Sequence, residues 1–208
     1  MRMIKIGVGI LAAGILISTG LAAMMVYTLR LPESVLEFKV GSTLHEVEGR
    51  VASFSVKPFS FDFEKPALQE NIEVTFPVRA MLTGMQARDV LMYKMFDADH
   101  YSEIFYKAST MQCASENPDR LSCSVPGELT IRKTTLPVLL HAVIERQGSK
   151  LHARGDAKLS LKAFDLHPPS VMGILKVFDE VSIHFDTGWD AASPQELLPK
   201  PKDPLQAV

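Results

Sequence analysis

The feature of this sequence that most constrains its fold is an alternation of apolar and polar side chains with a period of two residues. Successive side chains of a β-strand point to opposite faces of a sheet, so this period predicts half-buried strands. The alternation is longest over residues 150–162, and it recurs over residues 72–82 and 180–186. Within residues 72–82, the apolar face is formed by Ile72, Val74, Phe76, Val78, Ala80 and Leu82.

Shorter stretches of the same character raise the number of predicted strands to about eight or nine, mostly antiparallel and joined by short links. Strands as long as about 13 residues favour a barrel over a sandwich. Side chains can fill the interior of a barrel of about eight strands, or the interior can hold one small ligand. Small inward side chains leave room for a cavity, although tight packing against a helix would also explain them; they are Ala80, Ala153, Gly155 and Ala157.

The N-terminus contains an uncharged stretch over residues 6–27, preceded by Arg2 and Lys5. A helix needs roughly 20 apolar residues to cross a bilayer, whereas the apolar part of a secretory signal is usually about 7–15 residues long. The length therefore favours an uncleaved transmembrane anchor, and the small residues Ala22 and Ala23 leave cleavage as the alternative. The basic residues before the stretch would keep the N-terminus in the cytoplasm and place the rest of the chain outside.

The C-terminal residues 193–208 contain four prolines among mixed charges, which predicts a flexible tail. The predicted organisation is thus a signal anchor or signal peptide over residues 1–30, an antiparallel β-barrel domain over residues 31–192 and the tail over residues 193–208. The formal net charge of -2 gives no indication of a nucleic-acid partner.

Cys113 and Cys123 lie on either side of a turn-forming Asn-Pro-Asp sequence centred on Pro118. In a hairpin centred there, the two cysteines would lie opposite each other, where Cβ atoms are about 4.5–5.5 Å apart. In an exported domain this arrangement favours a structural disulfide, and a pair of free thiols is the alternative. No further pair of ligands has the spacing of a metal site.

Residues 86–96 predict a short helix, with four apolar side chains on one side: Val90, Leu91, Met95 and Phe96. The adjacent Arg88 and Asp89 cannot face each other on a helix, so their partners must come from elsewhere in the fold. We expect both to be structural residues that hold the helix in place near the mouth of the barrel. Direct contact with the head group of a ligand is the alternative.

Motifs of catalysis or nucleotide binding are absent from the sequence, which contains no G-x-G-x-x-G, Walker A, H-E-x-x-H or G-x-S-x-G pattern. No two of the six histidines have the spacing of a metal-binding pair. His45 is expected to form a structural hydrogen bond with Asp89 or with a backbone carbonyl, and contact with a ligand is the alternative. The sequence therefore gives no indication of a catalytic site or of a metal site.

Four segments in order along the chain carry a family resemblance. Residues 34–49 contain a serine, an alternating strand, a histidine and a glycine. Residues 86–109 contain Arg-Asp at a helix start, then Phe-Asp and a tyrosine that leads into a strand. Residues 127–145 form a hairpin that begins G-x-L-T, and residues 170–185 form a closing loop and strand. Together they resemble the YceI-like family, lipocalin-like β-barrels exported to the bacterial periplasm.

The resemblance implies a long apolar cavity that binds a polyisoprenoid lipid or an isoprenoid quinone without catalysis. Residues 163–169 depart from the family pattern near the expected mouth of the barrel, which leaves the identity of the ligand open. The side chains expected to line the cavity are Val74, Phe76, Val78, Leu82, Leu91, Met95, Ile104, Tyr106, Leu140, Leu159 and Phe185.

The expected function is the carriage or storage of an apolar lipid on the periplasmic side of the inner membrane. Residues 6–27 would anchor the protein in that membrane, and a homodimer is compatible with the sequence. The alternative function is a protein-interaction module of the bacterial envelope, in which side chains fill the barrel. The size of the interior cavity distinguishes the two.

Overall fold

The computed structural model describes residues 25–68, 70–168 and 176–192. Within them the chain forms one antiparallel sheet and one α-helix, α1 (Gln86–Met95), together with 3-10 helices at Val78–Ala80 and Lys162–Phe164. The strands are β1 (Met25–Ser42), β2 (Val47–Val51), β3 (Ser55–Val56), β4 (Phe59–Phe61), β5 (Ile72–Pro77), β6 (Met81–Leu82), β7 (Glu103–Ala108), β8 (Gln112–Asn117), β9 (Arg120–Ile131), β10 (Thr134–Gln147), β11 (Lys150–Ser160) and β12 (Val177–Ala192). The predicted all-β architecture with a short helix is confirmed.

The sheet curls until its two ends meet. Its strands follow the order β3-β5-β7-β9-β10-β11-β12-β1-β2-β6, with β4 and β8 attached to β1 and β9. The strand at each end of this order continues a neighbouring strand of the chain. β3 follows β2 and forms one continuous stretch with it, and β6 follows β5 and forms a second. Between these stretches, the Ala52 amide donates to Ala80 O at 2.8 Å and the Lys57 amide donates to Glu73 O at 3.0 Å. The curled sheet therefore surrounds an interior, as the alternation predicted.

The alternation predicted over residues 72–82 is interrupted in its second half. Pro77 ends β5 with φ at -66°, and the 3-10 helix Val78–Ala80 follows directly. A 3-10 helix turns through about three residues, so the side chains after it no longer keep the inward order set by β5. As a result Met81 is buried and Leu82 is only half-buried, the reverse of the predicted order.

The first strand begins earlier than the sequence indicated. β1 starts at Met25, crosses the predicted border between residues 30 and 31, and buries Tyr27 in the core. The last three residues of the predicted membrane-spanning stretch, 25–27, therefore belong to the sheet. Residues 6–24 and the predicted tail over residues 193–208 lie outside the described residues. Among the helices that the structure describes, none is both long enough and apolar enough to cross a bilayer.

Aromatic side chains close one end of the curled sheet, where β1 begins beside the end of β12. The rings of Phe59 and Trp189 meet edge to face at 5.1 Å, and those of Phe61 and Phe63 at 6.2 Å. Edge-to-face pairs of this kind stabilise an apolar core beyond the area that they bury. The guanidinium of Arg146 covers this end from outside, 4.5 Å from the Phe63 ring centre.

The two cysteines are joined by a disulfide, as predicted. Cys113 in β8 is directly opposite Cys123 in β9, and the turn between these strands contains Pro118 and Asp119. β8 pairs with β9 alone, so the disulfide fixes this short outer strand to the curled sheet.

Candidate ligand-binding cavity

An apolar cavity of about 700 Å³ occupies the interior of the curled sheet. Its wall combines inward side chains of the strands with α1, which crosses the end opposite the aromatic closure. Cavities of roughly 300–1,000 Å³ are typical of sites for small organic ligands. The interior is not filled by side chains, which argues against the interaction module with a filled barrel.

Most of the side chains expected to line the cavity do so in the structure. They are Val74, Phe76, Leu91, Met95, Ile104, Tyr106, Leu140, Leu159 and Phe185. Val78 and Leu82 do not line it, and for these two the prediction is wrong. Val78 is 1 % exposed within the 3-10 helix, and Met81 has the inward position that was assigned to Leu82.

The wall contains many residues that were not predicted, and two groups of them form distinct parts of it. One is the aromatic closure, to which Phe59, Phe61 and Trp189 contribute. The other lies just after β11, where Phe164 and Leu166 are buried against the interior. The sequence features that could have indicated these parts of the wall are the alternating phenylalanines of residues 59–63 and the apolar residues within 163–169. The sequence could not show that either segment folds inward, because both lie between long strands.

One stripe of α1 faces the cavity. Leu91, Met92 and Met95 line it, and Arg88 extends the same stripe toward the helix start. This spacing of three and four residues is that of one face of a helix. Val90 is 44 % exposed and borders a small outer pocket instead, so its predicted place on the inward side is wrong. The Tyr93 hydroxyl donates to Met81 O at 2.8 Å and fixes the helix to β6.

Asp89 holds the beginning of α1 through two hydrogen bonds. Its side chain is buried, and Oδ1 accepts from the Thr83 amide at 2.8 Å and from the Thr83 hydroxyl at 2.6 Å. A carboxylate in the first turn of a helix also interacts favourably with the helix dipole. These contacts have the anchoring role that the sequence suggested for Asp89.

Arg88 and His45 have different surroundings from those predicted. The half-buried Arg88 lines the cavity, and within the described chain its guanidinium has no hydrogen bond or ion pair. The His45 ring, also at the cavity, does not contact Asp89, whose oxygen is taken by Thr83. The backbone of His45 has the structural role instead, because its carbonyl accepts from the Ser42 hydroxyl at 2.6 Å.

The hydroxyl groups in the cavity wall are bonded within the protein. Tyr106 Oη donates to Val125 O at 3.1 Å, and burial raises the pKa of this phenol, which stays neutral. Ser160 Oγ donates to Asp179 at 2.7 Å, and Thr187 Oγ1 donates to Ala153 O at 2.9 Å. These groups are therefore satisfied without a ligand, and the wall that they leave is apolar.

The acidic residues that follow α1 lie on the outer surface. Asp97 Oδ1 lies 2.7 Å from His100 Nδ1, and this bond raises the pKa of the imidazole. Asp99 forms an ion pair with Arg79 at 2.5 Å. Across the part of the chain that the structure describes, no group of three or more His, Cys, Asp or Glu side chains could hold a metal ion. This cluster forms surface contacts away from the cavity.

Several solved structures have a similar fold. BcnA from Burkholderia cenocepacia matches with a TM-score of 0.64 and 22 % identity, over 77 % of this chain and 98 % of that one. A polyisoprenoid binding domain from Saccharophagus degradans, implicated in plant cell wall breakdown, matches with a TM-score of 0.63 and 12 % identity, over 80 % and 98 %. A YCEI protein from Campylobacter jejuni matches with a TM-score of 0.55 and 18 % identity, over 71 % and 84 %.

At these identities the structural likeness is evidence of a shared fold. No curated protein sequence matches the chain. The model of the YceI-like domain, however, matches residues 27–188, from the first strand to the last. Because this match spans most of the sequence and the whole curled sheet, the chain belongs to the YceI-like family.

Proposed function

We propose that this protein binds an apolar lipid, specifically a polyisoprenoid or isoprenoid quinone, inside the curled sheet, and that it carries or stores this lipid without chemical change. The observation that carries the proposal is the continuous apolar cavity of about 700 Å³. The polyisoprenoid binding domain from Saccharophagus degradans, which shares the fold, supports the choice of lipid.

Burial of the lipid's apolar chain would supply the affinity of the protein for this ligand. Apolar surface removed from water contributes roughly 25 cal/mol per Å², and few polar contacts are needed. At the ~30 Å³ that one water-sized group occupies in a liquid, the cavity holds on the order of 20 non-hydrogen atoms. This number corresponds to about four isoprene units of five carbons each. A longer chain would extend through the mouth beside α1.

The location that suits this function is the periplasm, with the apolar residues before β1, 6–24, as an anchor in the inner membrane or as a signal that is cleaved after export. Val26 pairs with Ala192 at the closed end, so both chain ends leave the sheet there. An anchored protein would therefore hold its mouth on the side away from its own attachment. Such a geometry suits transfer of a lipid to or from a partner other than the anchoring bilayer.

Lipid extraction tests the proposal. The full chain is purified from a bacterial host in a mild detergent, and organic extracts are analysed by mass spectrometry. We expect a co-purified prenyl lipid and saturable uptake of a fluorescent prenyl probe. Absence of both would contradict the proposal.

A matched pair of variants connects the binding to the cavity. Ala153→Phe fills space beside the cavity wall, whereas Ser122→Phe adds the same ring to the exposed face of β9. We expect probe uptake to fall at least tenfold in the first variant and to stay unchanged in the second, with both proteins folded by circular dichroism. Equal uptake by the two variants would place the probe outside the cavity.

A further inference from the structure

Among the described residues, no hydrogen bond or ion pair is formed by the guanidinium of Arg88. Arg88 is half-buried on the inward stripe of α1, and no carboxylate lies within 4 Å of its guanidinium among the described residues. Glu37 also borders the cavity, but it forms no ion pair with Arg88. Asp89, the adjacent acid, is occupied by Thr83.

A half-buried guanidinium beside an apolar wall, with no acceptor in the described residues, is placed to bind an ionised acceptor of a ligand. Partial burial weakens its contact with water, and charged donors contribute most when an ionised acceptor meets them. The planar fork of arginine matches the two oxygens of a carboxylate or phosphate. The wall offers no competing hydroxyl donor, since those of Tyr106, Ser160 and Thr187 are bonded internally.

We propose that Arg88 binds an acidic head group, a carboxylate or a phosphate, at the mouth of the cavity while the apolar chain of the same ligand lies inside. This inference rests on the proposed function and specifies the ligand as an acidic prenyl lipid. His45, in the turn between β1 and β2, borders the same cavity and supplies a second polar group at this end. Arg88 thereby selects among lipids that have the same tail.

A series of ligands with one tail tests this selection. Geranylgeraniol, geranylgeranoic acid and geranylgeranyl phosphate are titrated against the full chain by displacement of a prenyl probe. We expect the two acidic forms to bind about tenfold more tightly than the alcohol, the difference that one charge-assisted hydrogen bond confers. Equal affinities for all three would overturn the assignment of Arg88 but leave the proposed function intact. Failure of all three to displace the probe would overturn both.

Two substitutions on the same helix separate head-group binding from general effects of charge. In Arg88→Met the ratio of acid to alcohol affinity should fall to about one, because the donor is lost. In Lys94→Met, which removes an exposed cation from the outer side of α1, the ratio should stay at about ten. A full ratio in Arg88→Met, or an equal loss in both variants, would contradict the proposal.

Two further measurements define the site. Arg88→Lys should keep part of the preference, since lysine supplies the charge without the fork. Inorganic phosphate at millimolar concentration should not displace the probe, because it lacks the apolar chain. Displacement by inorganic phosphate alone would mean that the mouth takes free anions, and the lipid head group would be the wrong occupant.

Discussion

At the scale of single residues, glycines in the curled sheet make room for aromatic rings that face the interior. A Cβ atom added to any of three of them would lie 2.2–2.7 Å from a ring atom, which is closer than side chains approach. The rings therefore approach the backbone more closely than a side chain at these positions would allow. The pairs are Gly49 with Phe38, Gly127 with Tyr106 and Gly155 with Phe185.

Gly155 tests this close packing. In Gly155→Ala the new methyl group would lie 2.0 Å from His141 O and 2.7 Å from the Phe185 ring, so backbone and ring must both move. We expect a loss of about 1–3 kcal/mol in the free energy of unfolding, measured in urea. Gly188→Ala on the neighbouring strand is the control, because its nearest atom lies at 3.4 Å. Equal stability of the two variants would contradict the packing argument.

The adjacent Arg88 and Asp89 have separable roles. Asp89→Ala leaves the amide and hydroxyl of Thr83 without their acceptor, so we expect it to lower the free energy of unfolding by about 1–3 kcal/mol. Arg88→Ala removes no bond within the described chain and should change stability by less than about 0.5 kcal/mol. Thermal unfolding of both variants checks this. A large loss for Arg88→Ala would show that it also anchors the helix.

At the scale of elements, one part of the cavity wall is formed by the segment of residues 161–168 and not by paired strands. Pairing between β10 and β11 covers residues 141–147 and 150–156, and it stops although both strands continue. Pro137 lies in the half of β10 that pairs with β9 but not with β11, and the missing N–H of a proline is tolerated at such an edge. Residues 161–168 fold over this region with Phe164 buried, and Arg132 Nη1 donates to Asp165 O at 3.1 Å.

Asp179 connects this folded segment to β12, and its contribution should depend on pH. Its carboxylate accepts from the Lys162 amide at 2.8 Å and from Ser160 Oγ at 2.7 Å, and these bonds hold its pKa below the usual value. A lowered pKa means that the stabilisation is present above the pKa of the unfolded chain and is lost as the pH falls through the folded value. Thermal unfolding of Asp179→Asn and the wild-type protein should differ near neutral pH and converge in strong acid.

The disulfide should stabilise the β8–β9 hairpin more than the cavity. Cys113 and Cys123 are separated by 10 residues, and closing a loop of this size typically contributes about 2–3 kcal/mol. We therefore expect reductant to lower the urea midpoint while prenyl-probe uptake below that midpoint persists. The double variant Cys113→Ala/Cys123→Ala is the control, since its midpoint should not respond to reductant. An unchanged wild-type midpoint would show that β8 contributes little to stability.

At the scale of the whole molecule, the fold encloses a space that its own side chains do not fill. Its apolar wall holds water poorly, because a bound water needs two to four polar partners. A ligand that fills the space restores the missing contacts without a change of backbone. The interior is therefore suited to an apolar ligand.

Ligand binding should raise the stability of the entire sheet. A ligand present at about 100 times its dissociation constant adds about 2.7 kcal/mol when it binds only the folded state. We expect the melting temperature to rise with the concentration of a prenyl lipid and to rise much less in Ala153→Phe, whose cavity is reduced. A melting temperature that does not respond to bound lipid would contradict this coupling.

The strands, the short helix and part of the cavity wall could be predicted from local patterns. Val74 and Phe76 point inward because side chains alternate along any strand. The same alternation did not predict the positions of Val78 and Leu82, since a 3-10 helix after Pro77 interrupts the strand. The segment with Phe164 and Leu166 was missed because its inward fold depends on β10 and β11 separating.

The period of a strand and the centre of a turn were sufficient to predict the sheet, the inward faces of most of its strands and the pairing of Cys113 with Cys123. The three-dimensional structure was needed to show whether the interior is full or empty, since that depends on the summed volumes of side chains from the whole sheet. It also decided which of two adjacent charges has a partner. Thr83 donates to Asp89, whereas nothing in the described chain pairs with Arg88. This difference depends on how α1 lies across the mouth of the cavity.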